Sequence, residues 1–220
     1  MARVARPLFV LSGIGADERL FDAQRAVREI RPIRWIAPVD AGETLSHYAA
    51  RLARELAFDE PFDLGGASFG GMVALELARH LAPRQVFLFG SCRSRNAVAP
   101  LLRALRSLAA VAPDRLLHPP RLLLPLVARW FGAREPRHVA LFAEMLTATS
   151  PSFVRWASRA VFSWAGVDRL PMPIRHVHGE RDRVIPVRRV MPDRVVAEAG
   201  HLFNITHAEA VNDFLARYEE

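Results

Sequence analysis

Short apolar runs at residues 8–11, 33–36, 62–65, 86–89, 174–177 and 194–197 alternate with longer stretches of helical spacing. No other feature of the 220-residue chain limits its fold as strongly. Residues 19–30 carry Leu20, Val27 and Ile30; residues 45–57 carry Leu45, Tyr48, Leu52 and Leu56; residues 72–81 carry Met72, Val73, Leu77 and Leu81. Strand and helix alternating through short joins imply a mostly parallel sheet with helices on both faces, an α/β fold. Thr206-His-Ala-Glu209 reads as a capping box for a last helix bearing Val211, Phe214 and Leu215. At 51% apolar composition the chain can bury one sizeable core.

Residues 96–166 break the alternation. They hold no strand-like run, several prolines and three of the four tryptophans, Trp130, Trp156 and Trp164. The expected organisation is a core of residues 1–95 and 167–220, with residues 96–166 inserted as a helical cap. Because α/β sites lie at the carboxyl ends of strands, the cap is expected to act as a lid over a pocket.

Composition removes several kinds of chemistry. All 30 basic residues are arginine, so Schiff-base chemistry, a Ser-Lys dyad and a Walker-type phosphate loop are excluded. The arginines are scattered and often accompanied by Glu or Asp. The net charge of +7 therefore describes a solvated surface rather than a nucleic-acid face. A single cysteine, Cys92, allows neither an internal disulfide nor a thiolate metal cluster. The first apolar run stops at Ser12-Gly13, too soon for a signal peptide, and no run is long enough for a membrane span. These features together read as a cytoplasmic protein with a small-molecule substrate; they leave its oligomeric state open.

The third apolar run leads directly into Gly66-Ala-Ser68-Phe-Gly70, with a helical stretch close behind. A serine hydroxyl is a poor nucleophile unless it is exposed, rigid and paired with a base. A sharp strand-to-helix turn supplies the exposure, and small residues two before and two after allow the turn. Chance alone gives roughly 0.03 occurrences of this pattern in a chain of this composition. Asp182 follows the fifth run within His178-Gly-Glu-Arg-Asp182-Arg-Val-Ile-Pro186, and Gly200-His201 follows the sixth. The order Ser68, Asp182, His201 is the one a Ser-His-Asp triad takes on an α/β sheet. One oxyanion donor is expected from the backbone N–H of Phe69, directly after the nucleophile.

The elbow, the acid loop and the Gly200-His201 pair make the chain resemble the α/β-hydrolase family over nearly its whole length. The resemblance implies a family cap at residues 96–166 and a second oxyanion donor in Ser12-Gly13-Ile14-Gly15, with Ile14 favoured. Ser12 stands where His-Gly is common, and the chain starts at what looks like the family's third strand, a minimal version. The implied activity is hydrolysis of an ester-type bond in a small, mainly apolar substrate, with no metal or organic cofactor. Thioester hydrolysis, a lyase reaction and a non-catalytic ligand-binding role share the same residues.

Other polar residues receive plainer roles. Asp17 is expected to cap the helix that follows it. His176 and His178 are read as strand and loop residues without a third metal ligand, and Cys92 as a small buried residue.

Overall fold

The computed structural model describes residues 6–104 and 120–218. Residues 105–119, part of the expected insertion, lie outside them. Six strands form one sheet: β1 (Leu8–Leu11), β2 (Ile30–Pro32), β3 (Asp63–Ala67), β4 (Val86–Phe89), β5 (Ile174–Gly179) and β6 (Arg194–Val196). Their order is β2-β1-β3-β4-β5-β6, and every neighbouring pair is parallel. The α/β expectation therefore holds. β3 and β4 are buried along their whole length, as strands covered on both faces must be.

Helices α1 (Leu45–Glu55) and α2 (Phe69–Leu77) pack together. Their cluster includes Tyr48, Leu52, Met72 and Leu75. A second cluster holds Leu20, Phe21, Phe87, Phe203 and Phe214. It joins a 3-10 helix (Glu18–Ala26) to the last two helices, α7 (Phe203–Thr206) and α8 (Ala208–Ala216). Between β4 and β5 run α3 (Pro100–Ala104), α4 (Leu124–Trp130), α5 (Pro136–Ala148) and α6 (Pro151–Ser163). Indole N–H groups tie this segment down. Trp156 donates to the Glu43 carbonyl at 2.9 Å, and Trp164 donates to the buried Glu76 carboxylate at 2.7 Å.

Three local expectations are corrected. The second strand is Ile30–Pro32, not residues 33–36. Ile33 N–H still reaches the Val10 carbonyl at 2.8 Å, but beyond it the chain turns toward α1. There the Tyr48 hydroxyl accepts from Ile36 N–H and donates to the Ile36 carbonyl, so beyond the buried Ile33 the half-buried Trp35 and Ile36 are held against Tyr48 instead of by sheet pairing. The stretch after Asp17 is a 3-10 helix ending at Ala26, because Ile30 is needed in β2. Asp17 does cap it, accepting from Arg19 N–H. The capping box fails: Thr206 ends α7, its hydroxyl bonds the Leu202 carbonyl and the His207 ring, and His207 starts α8 without a side-chain cap.

Candidate active site

Ser68 occupies the single residue between β3 and α2. Its φ of 52° and ψ of −119° are costly for a residue with a Cβ, about 1–3 kcal/mol, and persist only where the surroundings enforce them. They do so here. Ser68 N–H donates to the Phe89 carbonyl at 3.0 Å, and Ser91 Oγ donates to the Ser68 carbonyl at 2.6 Å. The flanking glycines have no room for a side chain. A Cβ on Gly66 would lie 2.3 Å from the Gly70 carbonyl carbon, and one on Gly70 would lie 2.2 Å from the Ser12 oxygen.

Asp182 and His201 come from the loops after β5 and β6, which touch backbone to backbone. A Cβ on Gly179 would sit 2.5 Å from the Gly200 carbonyl oxygen, and one on Gly200 would sit 2.7 Å from the Gly132 Cα, so each glycine of the two motifs is required by its own close approach. Asp182 is buried, and its Oδ1 accepts from the N–H groups of Val184 and Ile185, each at 2.8 Å. Oδ2 lies 2.6 Å from His201 Nδ1. On the far side of that ring, Nε2 lies 2.9 Å from Ser68 Oγ. These partners place the imidazole proton on Nδ1 and leave Nε2 to accept from the serine hydroxyl. Burial alone would raise the Asp182 pKa. The charge of His201 and hydrogen bonds from His178 and His201 outweigh it and hold the carboxyl well below its ordinary range.

The motif reading missed one neighbour. His178 is fully buried, with Nε2 2.7 Å from the Ile185 carbonyl and 3.3 Å from Asp182 Oδ2, and Nδ1 3.0 Å from His176 Nε2. His178 therefore backs the carboxylate from behind, a role its place in the acid-loop motif could have signalled.

Among the described residues, neither Ile14 N–H nor Phe69 N–H has an acceptor. Both residues line the same cavity as Ser68 and His201. Ser12 explains how its loop is held: its hydroxyl donates to the Ala16 carbonyl at 2.9 Å and accepts from Trp35 Nε1 at 3.1 Å. The cavity measures about 430 Å³ and is lined mainly by apolar side chains, among them Leu20, Met72, Phe131, Phe142 and Phe162. It falls within the range of small-molecule sites. Burial drives the Cys92 thiol up to about 12, so it is inert. No described helix is long and apolar enough to cross a membrane.

A serine on a sharp turn between β3 and α2, with a carboxylate from the loop after β5 and a histidine from the loop after β6, defines a class of protein. The sequence model of the Alpha/beta hydrolase family matches residues 5–214, and the chain belongs to that family. No curated protein matches it. Among solved structures, it is similar to a thermophilic esterase from Thermogutta terrifontis. The two are 21% identical with a TM-score of 0.75, over 97% of this chain and 89% of that one. An enol-lactonase from Burkholderia xenovorans LB400 is 20% identical with a TM-score of 0.73, over 97% and 92%. An esterase from Exiguobacterium antarcticum is 17% identical with a TM-score of 0.72, over 97% and 91%. At these identities the likeness establishes the fold.

Proposed function

We propose that the protein is a serine hydrolase that cleaves an ester-type bond in a small, mainly apolar molecule by way of an acyl-enzyme. One observation carries the reading: His201 Nε2 stands 2.9 Å from Ser68 Oγ at the wall of an apolar cavity, while its Nδ1 is held by the buried Asp182. Solved relatives of this fold that are named as esterases and an enol-lactonase support the choice of an ester.

In this mechanism Ser68 Oγ attacks the ester carbonyl carbon as its proton passes to His201 Nε2. The carbonyl oxygen becomes an oxyanion, met by the N–H groups of Ile14 and Phe69. The start of α2 adds a favourable partial charge. Collapse breaks the carbon–oxygen bond, and the departing alcohol takes the proton from His201. Water, deprotonated by the same ring, then attacks the acyl-serine; the bond from the acyl carbon to Ser68 Oγ breaks, Oγ takes the proton back from His201 Nε2, and the acid leaves. Asp182 keeps the proton on Nδ1 throughout and stabilises the imidazolium. Residues 96–166 serve as the cap. Among its described residues, Phe131, Phe142 and Phe162 supply apolar walls to the cavity that takes the substrate.

Steady-state hydrolysis of neutral esters of increasing acyl length tests the proposal. Turnover with a preference for apolar acyl groups is expected, with a loss of roughly 10⁴-fold or more in kcat for Ser68→Ala. Preference for short charged acyl groups would overturn the substrate assignment.

A further inference from the structure

Beyond its reacting groups, the cavity contains a polar side chain that the protein itself leaves unused. Asn204, the second residue of α7, lies three positions after His201 and lines the cavity together with Leu20, Phe131, Phe142 and Leu202. It is 2% exposed. Its Nδ2 has no hydrogen-bond partner, and among the described residues no hydrogen bond reaches either end of its carboxamide. The residue is nonetheless held in place, because its main-chain carbonyl accepts from Gln24 Nε2 at 3.1 Å. An unpaired buried amide is costly, so native sites retain one chiefly where something else satisfies it.

Resting on the hydrolase reading above, we infer that Asn204 is a specificity residue. The substrate carries, on an apolar frame, one further hydroxyl or keto oxygen that this carboxamide binds. A primary amide donates and accepts, so it reads either oxygen. Among the described residues no Asp, Glu or Arg lines the cavity, so a charged substituent would meet no opposite charge there and is disfavoured. Among the described lining residues the other polar one outside the reacting groups, Ser158, is only half-buried and adds a weaker demand. Sites built to hydrogen-bond a substrate oxygen discriminate against analogues lacking it, because the protein group is then left unpaired.

The experiment compares kcat/KM for ethyl hexanoate, ethyl 3-hydroxyhexanoate, ethyl 3-oxohexanoate and 2-hydroxyethyl hexanoate, with wild type and Asn204→Leu. The last ester places the oxygen on the alcohol side. At least one oxygenated ester should exceed ethyl hexanoate by about tenfold in wild type, and in Asn204→Leu the ratio should fall to within about twofold. The thermal midpoint of Asn204→Leu should hold or rise, since an unpaired amide is replaced by an apolar group of similar size. Equal rates on all four esters, or a preference that survives in Asn204→Leu, would overturn the inference and leave the hydrolase reading intact. A fall of more than about 4 °C in the midpoint would also overturn it, by showing that the amide has a partner within the protein. No hydrolysis of any ester, together with no labelling of Ser68 by a fluorophosphonate, would remove both.

Discussion

Gly132 and Gly200 meet backbone against backbone: a Cβ on Gly132 would come within 2.8 Å of the Gly200 Cα. Beside this contact Leu202 N–H donates to the Phe131 carbonyl at 3.0 Å, and the Phe131 ring lies 5.8 Å from that of His201. The turn after α4 is thus seated on the peptides that flank His201. Gly132 also has a φ of 101°, open in practice to glycine. Gly132→Ala should therefore push the His201 loop and lower kcat by about tenfold or more, since small misplacements of reacting groups are costly. Measuring kcat beside the thermal midpoint checks this, and an unchanged kcat in a folded variant would contradict it.

Asp182→Asn keeps the shape of the loop but reverses a hydrogen bond. Oδ1 is committed to the N–H groups of Val184 and Ile185, so the new amide NH₂ would face His201 Nδ1. The ring would then accept at Nδ1 and carry its proton on Nε2, pointing at Ser68, where it cannot act as a base. A fall of roughly 10³–10⁴ in kcat is expected, with little change in KM. Steady-state kinetics on any ester the wild type turns over will test it.

Acid should unfold the protein partly through His176. Burial, then the neighbouring His178 and Arg93, lower its pKa from 6.5 to about 3, against a smaller opposing pull from Asp182. A base depressed in the folded state binds fewer protons there than when unfolded. Its stability contribution is complete above pH 6.5 and declines as the pH falls toward 3. At about 1.4 kcal/mol per unit, the whole window is worth on the order of 4–5 kcal/mol. Denaturant midpoints should fall between pH 6.5 and 5, and the slope should flatten in His176→Gln.

The buried pair Arg28 and Asp63 lies at the opposite end of β3 from Ser68. Both side chains are essentially inaccessible, and Gln85 Nε2 also donates to Asp63 Oδ2 at 3.0 Å. Asp63→Ala strands a buried guanidinium and should cost about 3–5 kcal/mol of stability. The folded fraction should keep its rate of serine labelling. Urea unfolding together with labelling kinetics separates the two effects.

Period and motif made β1, β4 and β5 and the three site loops legible, because continuous apolar runs and glycines at close approaches leave direct traces in sequence. The run at residues 33–36 misled because packing against Tyr48 and pairing in a sheet call for the same apolar side chains. Thr206 misled because a cap depends on where the preceding turn ends, and α7 consumes that residue. The place of His178 in the acid loop hinted at its role, but its contact with Asp182 and the unpaired amide of Asn204 could not be read locally. Each depends on partners, or on their absence, that only the folded chain brings together.

The central claim is that Ser68 is an activated nucleophile with His201 as its base. Intact-mass analysis after exposure to a fluorophosphonate tests it most directly, with wild type and Ser68→Ala treated side by side. One adduct on wild type and none on the variant is the expected result. An unmodified wild type that is correctly folded, or an adduct that persists in Ser68→Ala, would contradict it.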